Sequence, residues 1–227
     1  MINTKAPSIL EVPGDLDESV ELVIVLSTHK SKIHEKVMTA HYPGNWDKAE
    51  MKGEPRTLVK ANASALKILL QEIKKEADKI GWSTTLEADH HGPTGKTPMI
   101  FVEIGSTEEE WNDEKAAEGM AKALMVSFER IERVKAGEEK FESCLIFGGG
   151  HYPKKATELV LGSEFAISHI CPKYAIDKLD DEMFRQAIKK NVEVVKRVFV
   201  LKEGTNVAQK EKIRALCEKF NVRYEII

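Results

Sequence analysis

Short, almost purely apolar runs alternate with segments of helical periodicity along most of this 227-residue chain. Residues 21–26, 98–104 and 143–147 are typical of strands covered on both faces, because they are too short for core helices and lack polar alternation. Residues 62–80 place their leucines and isoleucines on one side of a helix. Strands that alternate with helices predict an α/β fold with three layers, in which a largely parallel or mixed sheet carries helices on both faces.

The other predicted elements follow the same alternation. The predicted strands are residues 21–26, 82–88, 98–104, 143–147, 165–170, 195–201 and 222–227. The predicted helices are residues 62–80, 107–134, 154–162, 180–190 and 206–220. Asn62 is the predicted N-cap of the first helix, and Thr107 with Glu110 forms a predicted capping box for the second. Residues 32–60 have weak periodicity and several turn signals, so we expect an irregular segment with one short strand near Leu58.

Length and composition indicate one large domain. A chain with 42% hydrophobic residues can bury a sizeable core, so we expect a polar lead-in over residues 1–19 and a single α/β domain over residues 20–227. The net charge of −3 creates no global field for nucleic acid, although a local basic patch stays open. Three scattered cysteines, no apolar run of membrane-spanning length and no signal-peptide pattern predict a soluble protein of the reducing cytoplasm. A charged fraction of 31% is typical of proteins from hot environments.

Chemically active side chains gather where four of the predicted strands end. They are His29, the trio Asp89, His90 and His91, Glu103, and His151. Ligands of open α/β sheets bind outside the carboxyl ends of the strands. These groups are therefore expected to meet in one cleft, and the predicted catalytic residues are His29, His90, His91, Glu103 and His151.

The adjacent pair His90-His91 suits metal ligation, general-base chemistry or both. Imidazoles and carboxylates suit zinc, and a catalytic zinc site uses three protein ligands and a water. The predicted ligands are His90, His91, His151 and Asp89, although the chain has no compact HxxxH or HExxH spacing. Simpler interpretations stay open: a single histidine in a loop is often only a solvated or turn residue, and a strand-end glutamate often pairs with a lysine.

Glycines and lysines near these groups have two interpretations each. Gly148, Gly149 and Gly150 form a flexible turn, or they let the backbone approach a phosphate or ribose closely. The glycine spacing matches neither a Walker loop nor a dinucleotide fingerprint. Several lysines follow the same predicted strands, namely Lys30, Lys32, Lys96, Lys154 and Lys155. They form an ordinary solvated surface, or a basic rim for an anionic substrate such as a nucleic-acid backbone.

Taken together, these segments resemble the archaeal and plant type of D-aminoacyl-tRNA deacylase, the second class of that activity. The matching motifs are STHKS (27–31), HYPGNW (41–46), LEADHHGPT (86–94), FVEIGSTEEEW (101–111) and GGGHY (148–152), with residues 170–179 extending the match. Members of the family usually begin with a further strand and helix before the segment that starts at Val23. Here a polar lead-in stands at that place, so we expect one sheet edge to differ.

The resemblance implies a fold similar to peptidyl-tRNA hydrolase and nucleoside phosphorylase-like proteins, a zinc cofactor, and hydrolysis of the ester between a D-amino acid and tRNA. It also implies that the aminoacylated 3′ end of tRNA is the partner, and we expect a cytoplasmic monomer. The residues expected to bind substrate are Thr94, Gly148, Gly149, Gly150, Lys154, Lys30 and His41. Two alternatives are a phosphate-dependent nucleoside phosphorylase or nucleosidase and a tRNA-binding module without catalysis.

Overall fold

The computed structural model describes residues 19–227, so the predicted lead-in lies outside the described residues except for Ser19. The strands are β1 (Val23–Lys30), β2 (Val37–His41), β3 (Gly44–Asn45), β4 (Thr57–Leu58), β5 (Ser83–Leu86), β6 (Met99–Ser106), β7 (Glu142–Phe147), β8 (Phe165–Cys171), β9 (Arg197–Val200) and β10 (Arg223–Ile226). The helices are α1 (Ala63–Lys79), α2 (Glu108–Trp111), α3 (Glu114–Lys135), α4 (Lys154–Gly162), α5 (Asp181–Lys189) and α6 (Val207–Lys219).

The first four-stranded sheet has the order β1-β6-β2-β5 and is mixed. β1 is parallel to β6, β2 is antiparallel to β6, and β2 is parallel to β5. The prediction of an irregular segment over residues 32–60 is therefore wrong for β2, every residue of which is buried. Thr39 and His41 interrupt the apolar run of this short strand and hide it from a pattern search. The predicted short strand near Leu58 is confirmed as β4.

The two faces of the first sheet have different neighbours. Met38, Ala40 and Val102 point to one face and belong to the large core that includes residues of α1 and α3. Val25 and Phe101 point to the opposite face and belong to a small separate cluster. Because side chains alternate along a strand, the histidines and carboxylates in phase with Phe101 lie on this second face. One face of the sheet is thus packed by helices, and the other is available for a site.

The second sheet has the order β10-β9-β7-β8 and is parallel throughout. Ile146 and Phe199 point into the core shared with α1 and α4. Leu145 and Val198 point into a second core with residues of α5 and α6. Helices therefore cover both faces of this sheet, which confirms the predicted α/β class with mixed and parallel strands and helices on both sides.

Helix α1 confirms the clearest sequence prediction. The side chain of Asn62 accepts a hydrogen bond of 3.0 Å from the amide of Ala65, as an N-cap should. Gly81, just beyond the helix, adopts a φ of 72° that favours glycine. The helix packs against β2 and β5 of the first sheet and against β8 of the second. It therefore contributes to the packing of both sheets.

The predicted long helix over residues 107–134 is instead two helices, α2 and α3. The capping box at its start is present, because the amide of Thr107 donates to Oε2 of Glu110 at 2.9 Å. The chain then breaks at Asp113, whose side chain accepts from the amide of Ala116 at 2.9 Å and so caps a new helix. A second capping residue inside a helical pattern is the sign that the sequence prediction overlooks.

The cysteines Cys144, Cys171 and Cys217 are buried and free of disulfides. Burial raises the pKa of the thiols of Cys171 and Cys217, so these side chains behave as apolar core groups. Within residues 19–227, no helix combines the length and the apolar character that crossing a membrane requires.

Candidate active site

The site is built on the free face of the first sheet. Register pairs Glu103 of β6 with Ser27 of β1 and with Thr39 of β2. By alternation, His29, His41 and Glu103 share this face. The prediction that strand ends gather these groups holds only in part. His90 and His91 follow β5 and His151 follows β7, whereas His29 and Glu103 lie within β1 and β6, which run antiparallel to β2 and β5. The groups meet across the face of the sheet.

Glu87 lies at the centre of the cluster and is 1% exposed. Its Oε2 accepts a hydrogen bond of 2.8 Å from Nε2 of His151, and its Oε1 lies 3.2 Å from Nδ1 of His29. Burial alone raises the pKa of this carboxyl, but the hydrogen bonds from His151 and His29 outweigh burial and hold it well below its ordinary value. Glu87 is thus a carboxylate that binds two imidazoles.

Sequence reasoning assigns no role to Glu87. A signal is available, because Leu86 is buried in the large core and the next residue of an extended chain points the opposite way. That alternation aims Glu87 at the face that carries the histidines. Its motif stands out in the sequence, but Asp89 and Glu103 are the carboxylates predicted to act on the imidazoles.

His29 is buried between two carboxylates. Its Nδ1 lies 3.2 Å from Glu87 and 3.5 Å from Oε2 of Glu103. Burial lowers the pKa of this imidazole, but its hydrogen bonds to Glu103 and Glu87 outweigh burial and raise the pKa to about 9. Its Nε2 lies 3.1 Å from the hydroxyl of Tyr152, another site residue to which sequence reasoning gives no role. Tyr152 is 45% exposed, so it connects the buried cluster to the surface.

Three further imidazoles form a compact group, with one ligand atom from each of His41, His90 and His91 within 4.8 Å of the others. Each uses Nδ1 on a backbone carbonyl: His41 on Tyr42 at 3.0 Å, His90 on Ala88 at 2.9 Å, and His91 on the carbonyl of Gly92. Because a carbonyl only accepts, Nδ1 carries the proton in each ring, and in the neutral rings of His90 and His91 Nε2 keeps a free lone pair. This is how proteins orient histidines that bind metal. Burial lowers the pKa of His41, but the carboxylates Glu103 and Glu87 outweigh burial and raise it.

The electrostatics of this trio also suit a ligand site. Burial, with the neighbouring His41 imidazole, lowers the pKa of His90 well below its ordinary value and that of His91 to about 4. Both rings are therefore neutral near pH 7 and can donate lone pairs. Nε2 of His41 is buried and has no hydrogen-bond partner, since Oε1 of Glu103 lies 3.7 Å away. An orphaned buried nitrogen is costly unless a ligand satisfies it.

The loop that carries His90 and His91 is held by a second loop, residues 47–56. The amide of Gly92 donates to the carbonyl of Met51 at 3.0 Å. A Cβ on Gly92 would lie 2.5 Å from the amide nitrogen of Gly53, so only glycine permits this approach. Thr94, predicted to bind substrate, accepts from the amide of Glu54 at 2.7 Å. Its hydroxyl therefore fixes the two loops to each other.

Asp89, predicted as a metal ligand, lines the same cavity as His90, His91 and His151 but belongs to none of the possible metal-binding groups within residues 19–227. Its Oδ2 lies 2.7 Å from Nδ1 of His169, and its Oδ1 accepts from the amide of Ile170 at 3.0 Å. Both carboxylate oxygens are thus bound to β8. Asp89 ties the histidine loop to the second sheet, and this leaves it no free oxygen directed at His90 or His91.

A cavity of about 430 Å³, which we call the histidine cavity, opens onto His90, His91 and His151. Asp89, Pro172, the exposed Tyr174, Ala175 and most of residues 44–51 also line it. A second cavity of about 450 Å³, which we call the lysine groove, is lined by Gly149, Gly150 and Lys154, among others. Lys30 is exposed at the end of β1 and lines neither cavity.

The predicted glycine turn packs against β9 and the residues after it. Gly148 and Gly149 have φ values of 109° and 76°, which favour glycine. A Cβ on Gly148 would lie 2.8 Å from Cγ2 of Thr205, and one on Gly149 would lie 3.0 Å from Cδ1 of Leu201. Close packing therefore accounts for the first two glycines, whereas Gly150 faces open space.

A mixed α/β fold whose buried imidazoles and carboxylates open into a cavity defines an enzyme of the hydrolytic type. The sequence model of the family described as D-aminoacyl-tRNA deacylase matches residues 16–225. This chain belongs to that family, which confirms the resemblance found in its motifs.

Relatives named D-aminoacyl-tRNA deacylase occur in several archaea. The protein of Pyrococcus horikoshii is 33% identical over 94% of this chain and 77% of its own length. The protein of Ignicoccus hospitalis is 40% identical over 80% of this chain and 71% of its own. A crystal structure titled as a conserved protein of unknown function superposes with a TM-score of 0.82 at 29% identity, covering 91% of this chain and 71% of that one.

Proposed function

We propose that this chain hydrolyses the ester between a D-amino acid and the terminal adenosine of tRNA, and releases the free amino acid and tRNA. The observation that carries the proposal is the family match over residues 16–225, joined with an imidazole–carboxylate cluster that opens into a cavity. An ester with a ribose leaving group requires an activated water and stabilisation of the developing oxyanion. The cluster contains groups for both tasks.

Glu87 and His151 form the dyad that activates water in this proposal. Nε2 of His151 donates to Glu87 at 2.8 Å, which leaves Nδ1 as the proton acceptor. The imidazole lines the histidine cavity, where a substrate carbonyl can approach it. The buried carboxylate fixes the tautomer and stabilises the imidazolium after proton transfer, as in other carboxylate–histidine pairs. His151 then returns the proton to the departing ribose oxygen.

The trio His41, His90 and His91 fits zinc, because three closely spaced imidazoles can supply the protein ligands of a catalytic zinc site, and zinc would displace a proton from His41 on binding. The orphaned Nε2 of His41 supports this ligand set, in which His41 replaces both His151 and Asp89 of the predicted set. Bound zinc would supply Lewis acidity at the ester carbonyl. Glu103, which lies 3.7 Å from Nε2 of His41 and 3.5 Å from Nδ1 of His29, positions both rings.

The same proposal extends to the oligomeric state, the cellular compartment and the contact with the terminal adenine. A monomer is the active unit in this proposal, in which all the acting side chains come from one chain. Three free, buried cysteines support the reducing cytoplasm as its compartment. Tyr174, 62% exposed at the mouth of the histidine cavity, offers an aromatic surface to the terminal adenine.

The proposal is tested by measuring hydrolysis of matched D-tyrosyl-tRNA and L-tyrosyl-tRNA by the untagged protein, with and without a chelator. We expect turnover of the D-substrate, loss of turnover on chelation, and recovery on addition of zinc. His90→Ala and His151→Ala should each lower the rate by about 100-fold or more. His34→Ala changes an exposed histidine outside the cluster and should keep the rate of the unaltered protein.

Two results would each overturn one part of the proposal. An untouched D-substrate in the presence of zinc would exclude the reaction. Full activity of His151→Ala would exclude the dyad while leaving the reaction in place. Elemental analysis tests zinc binding separately from the role of the dyad. We expect about one zinc per chain in the unaltered protein and in His151→Ala, and less zinc in His90→Ala.

A further inference from the structure

The lysine groove lies on the other side of residues 149–152 from the histidine cavity. His151 lines the histidine cavity, and its neighbour Tyr152 lines the lysine groove. The centroids of these two rings are 4.8 Å apart. The two cavities are therefore lined by adjacent residues, which places the lysine groove next to the reacting centre.

The charge of the lysine groove differs from that of the whole chain. Its lining includes Lys154, Lys155, Lys173 and Lys202, and these lysines outnumber Glu203 and the α-carboxylate of Ile227, which also line it. The whole chain has 34 basic and 37 acidic residues, so this excess of positive charge is local. Lys155 lies 3.7 Å from Glu158, whereas no ion pair within residues 19–227 engages the other three lysines. Their charges are available to a ligand.

The backbone around the groove sets the position of Lys173. The amide of Lys173 donates to the carbonyl of Gly149 at 3.0 Å. Its aliphatic chain passes over Gly204, where a Cβ would lie 3.3 Å from Cδ of Lys173. Gly204 has a φ of 82°, which favours glycine. The turn that follows β9 and the glycine turn that follows β7 therefore lie close together, and Gly204 leaves room for the side chain of Lys173.

We propose that the lysine groove binds the phosphodiester backbone of the single-stranded 3′ end of tRNA, next to the terminal adenosine whose ester lies in the histidine cavity. This inference rests on the proposed function, because it takes the aminoacyl ester as the group at His151. Proteins that hold single strands combine a basic groove along the backbone with aromatic rings for the bases. Tyr152 stands between the two cavities with 45% of its surface exposed and supplies such a ring.

The groove also explains how a chain with a net charge of −3 can recognise a polyanion. Local lysine contacts with phosphates supply affinity through the release of counterions, whatever the charge elsewhere. This recognition is directed by Lys154, Lys173 and Lys202 and does not involve Lys30, which lines neither cavity. It predicts a strong salt dependence that belongs to the tRNA substrate alone.

The test compares a triple variant, K154Q/K173Q/K202Q, with a control, K115Q/K122Q/K140Q. The control removes the same charge from three exposed lysines on α3 and the segment after it. Three measurements are made for each protein: kcat/KM for D-tyrosyl-tRNA from 50 to 300 mM salt, kcat/KM for 3′-O-D-tyrosyl adenosine, which has the ester but no phosphate, and Kd for uncharged tRNA. Inorganic phosphate is added in a further series to detect binding of a free anion.

We expect the triple variant to lose at least about tenfold in kcat/KM for the tRNA substrate at low salt, and its log–log salt slope to shrink by about 2, which corresponds to three lost contacts with a single strand. Its Kd for tRNA should rise in parallel. Its activity on the adenosine ester should stay within about twofold of the unaltered protein. The control should match the unaltered protein in every measurement.

Distinct results separate this inference from the proposed function. An unaltered salt slope and Kd in the triple variant would overturn the groove even if the enzyme is a deacylase. An equal loss on both substrates would also overturn it, because the lysines would then act on the reacting centre. Strong inhibition by phosphate at 1 mM, about equal for both substrates, would assign the groove to a free anion. If no protein hydrolyses either substrate, the proposed function fails, and the Kd for tRNA still decides the groove.

Discussion

Nε2 of His151 lies 2.8 Å from Oε2 of Glu87, although the two residues follow strands of different sheets. The contact is supported by backbone, because the amide of Ala88 donates to the carbonyl of His151 at 2.8 Å. Glu87 thus connects the first sheet, which holds His29 and His41, to the glycine turn of the second. The reacting imidazole is placed by this connection.

Glu87→Gln should lower kcat for D-tyrosyl-tRNA by about 100-fold or more, because an amide fills the same space but no longer stabilises an imidazolium at His151. KM should change by less than about threefold, since the histidine cavity keeps its shape. Steady-state kinetics on the zinc-loaded protein measure both. Glu129→Gln on the exposed face of α3 is the control and should change neither parameter. A loss confined to KM would contradict the assigned role.

His29 and His91 should both contribute to a stability maximum of the metal-free protein near pH 6.5. The pKa of His91 is about 4 in the folded state, below its ordinary value of 6.5, so the unfolded chain binds more protons between these values and stability is lost as pH falls. The pKa of His29 is about 9 in the folded state. Its contribution is present below pH 6.5 and is lost as pH rises toward 9.

Urea unfolding of the metal-free protein at pH 5, 6.5 and 8.5 measures this dependence. His29→Gln should reduce the alkaline slope and leave the acid slope intact, whereas His91→Gln should reduce the acid slope, of which His90 supplies a further part. The exposed His34→Gln serves as the control and should reproduce the unaltered profile. An unchanged alkaline slope in His29→Gln would assign it to another group.

Gly105→Ala should destabilise the protein by about 2–3 kcal/mol, because overpacking forces backbone and side chains to move. A Cβ at this position would lie 2.6 Å from Cβ of His29 and 2.9 Å from its carbonyl oxygen. The displacement of His29 should also reduce deacylation. Gly162→Ala in α4 is the matched control, since a Cβ there meets nothing within 4 Å. Chemical denaturation should show the control at least as stable as the unaltered protein.

Asp89→Asn should cost about 2–3 kcal/mol of stability and leave the zinc stoichiometry unchanged. The carboxylate holds His169 at 2.7 Å and the amide of Ile170 at 3.0 Å, both in β8, and a buried charge-assisted contact of this kind is expensive to break. Denaturation and elemental analysis at saturating zinc measure the two effects separately. Loss of zinc from a folded variant would make Asp89 a ligand after all.

Lys67→Met should destabilise the protein by about 2–4 kcal/mol, because it leaves buried carbonyls without a donor. Nζ of Lys67, 1% exposed, donates to Ser163 at 2.6 Å, to Phe165 at 3.1 Å and to the carbonyl of Val160. Burial lowers the pKa of this amine to about 8. Lys74→Met on the same helix removes only a surface ion pair with Asp78 and should cost less than about 1 kcal/mol. Denaturant midpoints compare the two variants.

The sequence predicts most elements well because their signals are local. The apolar spacing of α1, its cap at Asn62 and the long run of β6 are each determined by neighbouring residues. β2 escapes prediction because five buried residues that include Thr39 and His41 lack a periodic signature. Its antiparallel pairing with β6 is a non-local choice, and that pairing decides that the site lies on the face of the sheet.

The candidate site likewise has one part with a local sequence signal and another part that depends on distant residues. The motif around His90 and His91 points to the cluster, and the structure brings His29, His41, Glu103 and His151 to it. The parts that sequence reasoning could not supply depend on distant partners. Asp89 turns away from the histidines because β8 offers it His169 and a free amide, and Lys173 joins Lys154 only because two turns meet.

Helix α1 packs against β2 and β5 in one sheet and β8 in the other. A helix shared in this way couples the two halves of the molecule, so neither sheet can lose its packing without exposing the apolar side of the same helix. Unfolding should therefore be a single cooperative transition, followed alike by tryptophan fluorescence and by the loss of helical circular dichroism. The catalytic geometry is then present only in fully folded molecules. A variant destabilised far from the histidines therefore loses activity because fewer of its molecules are folded.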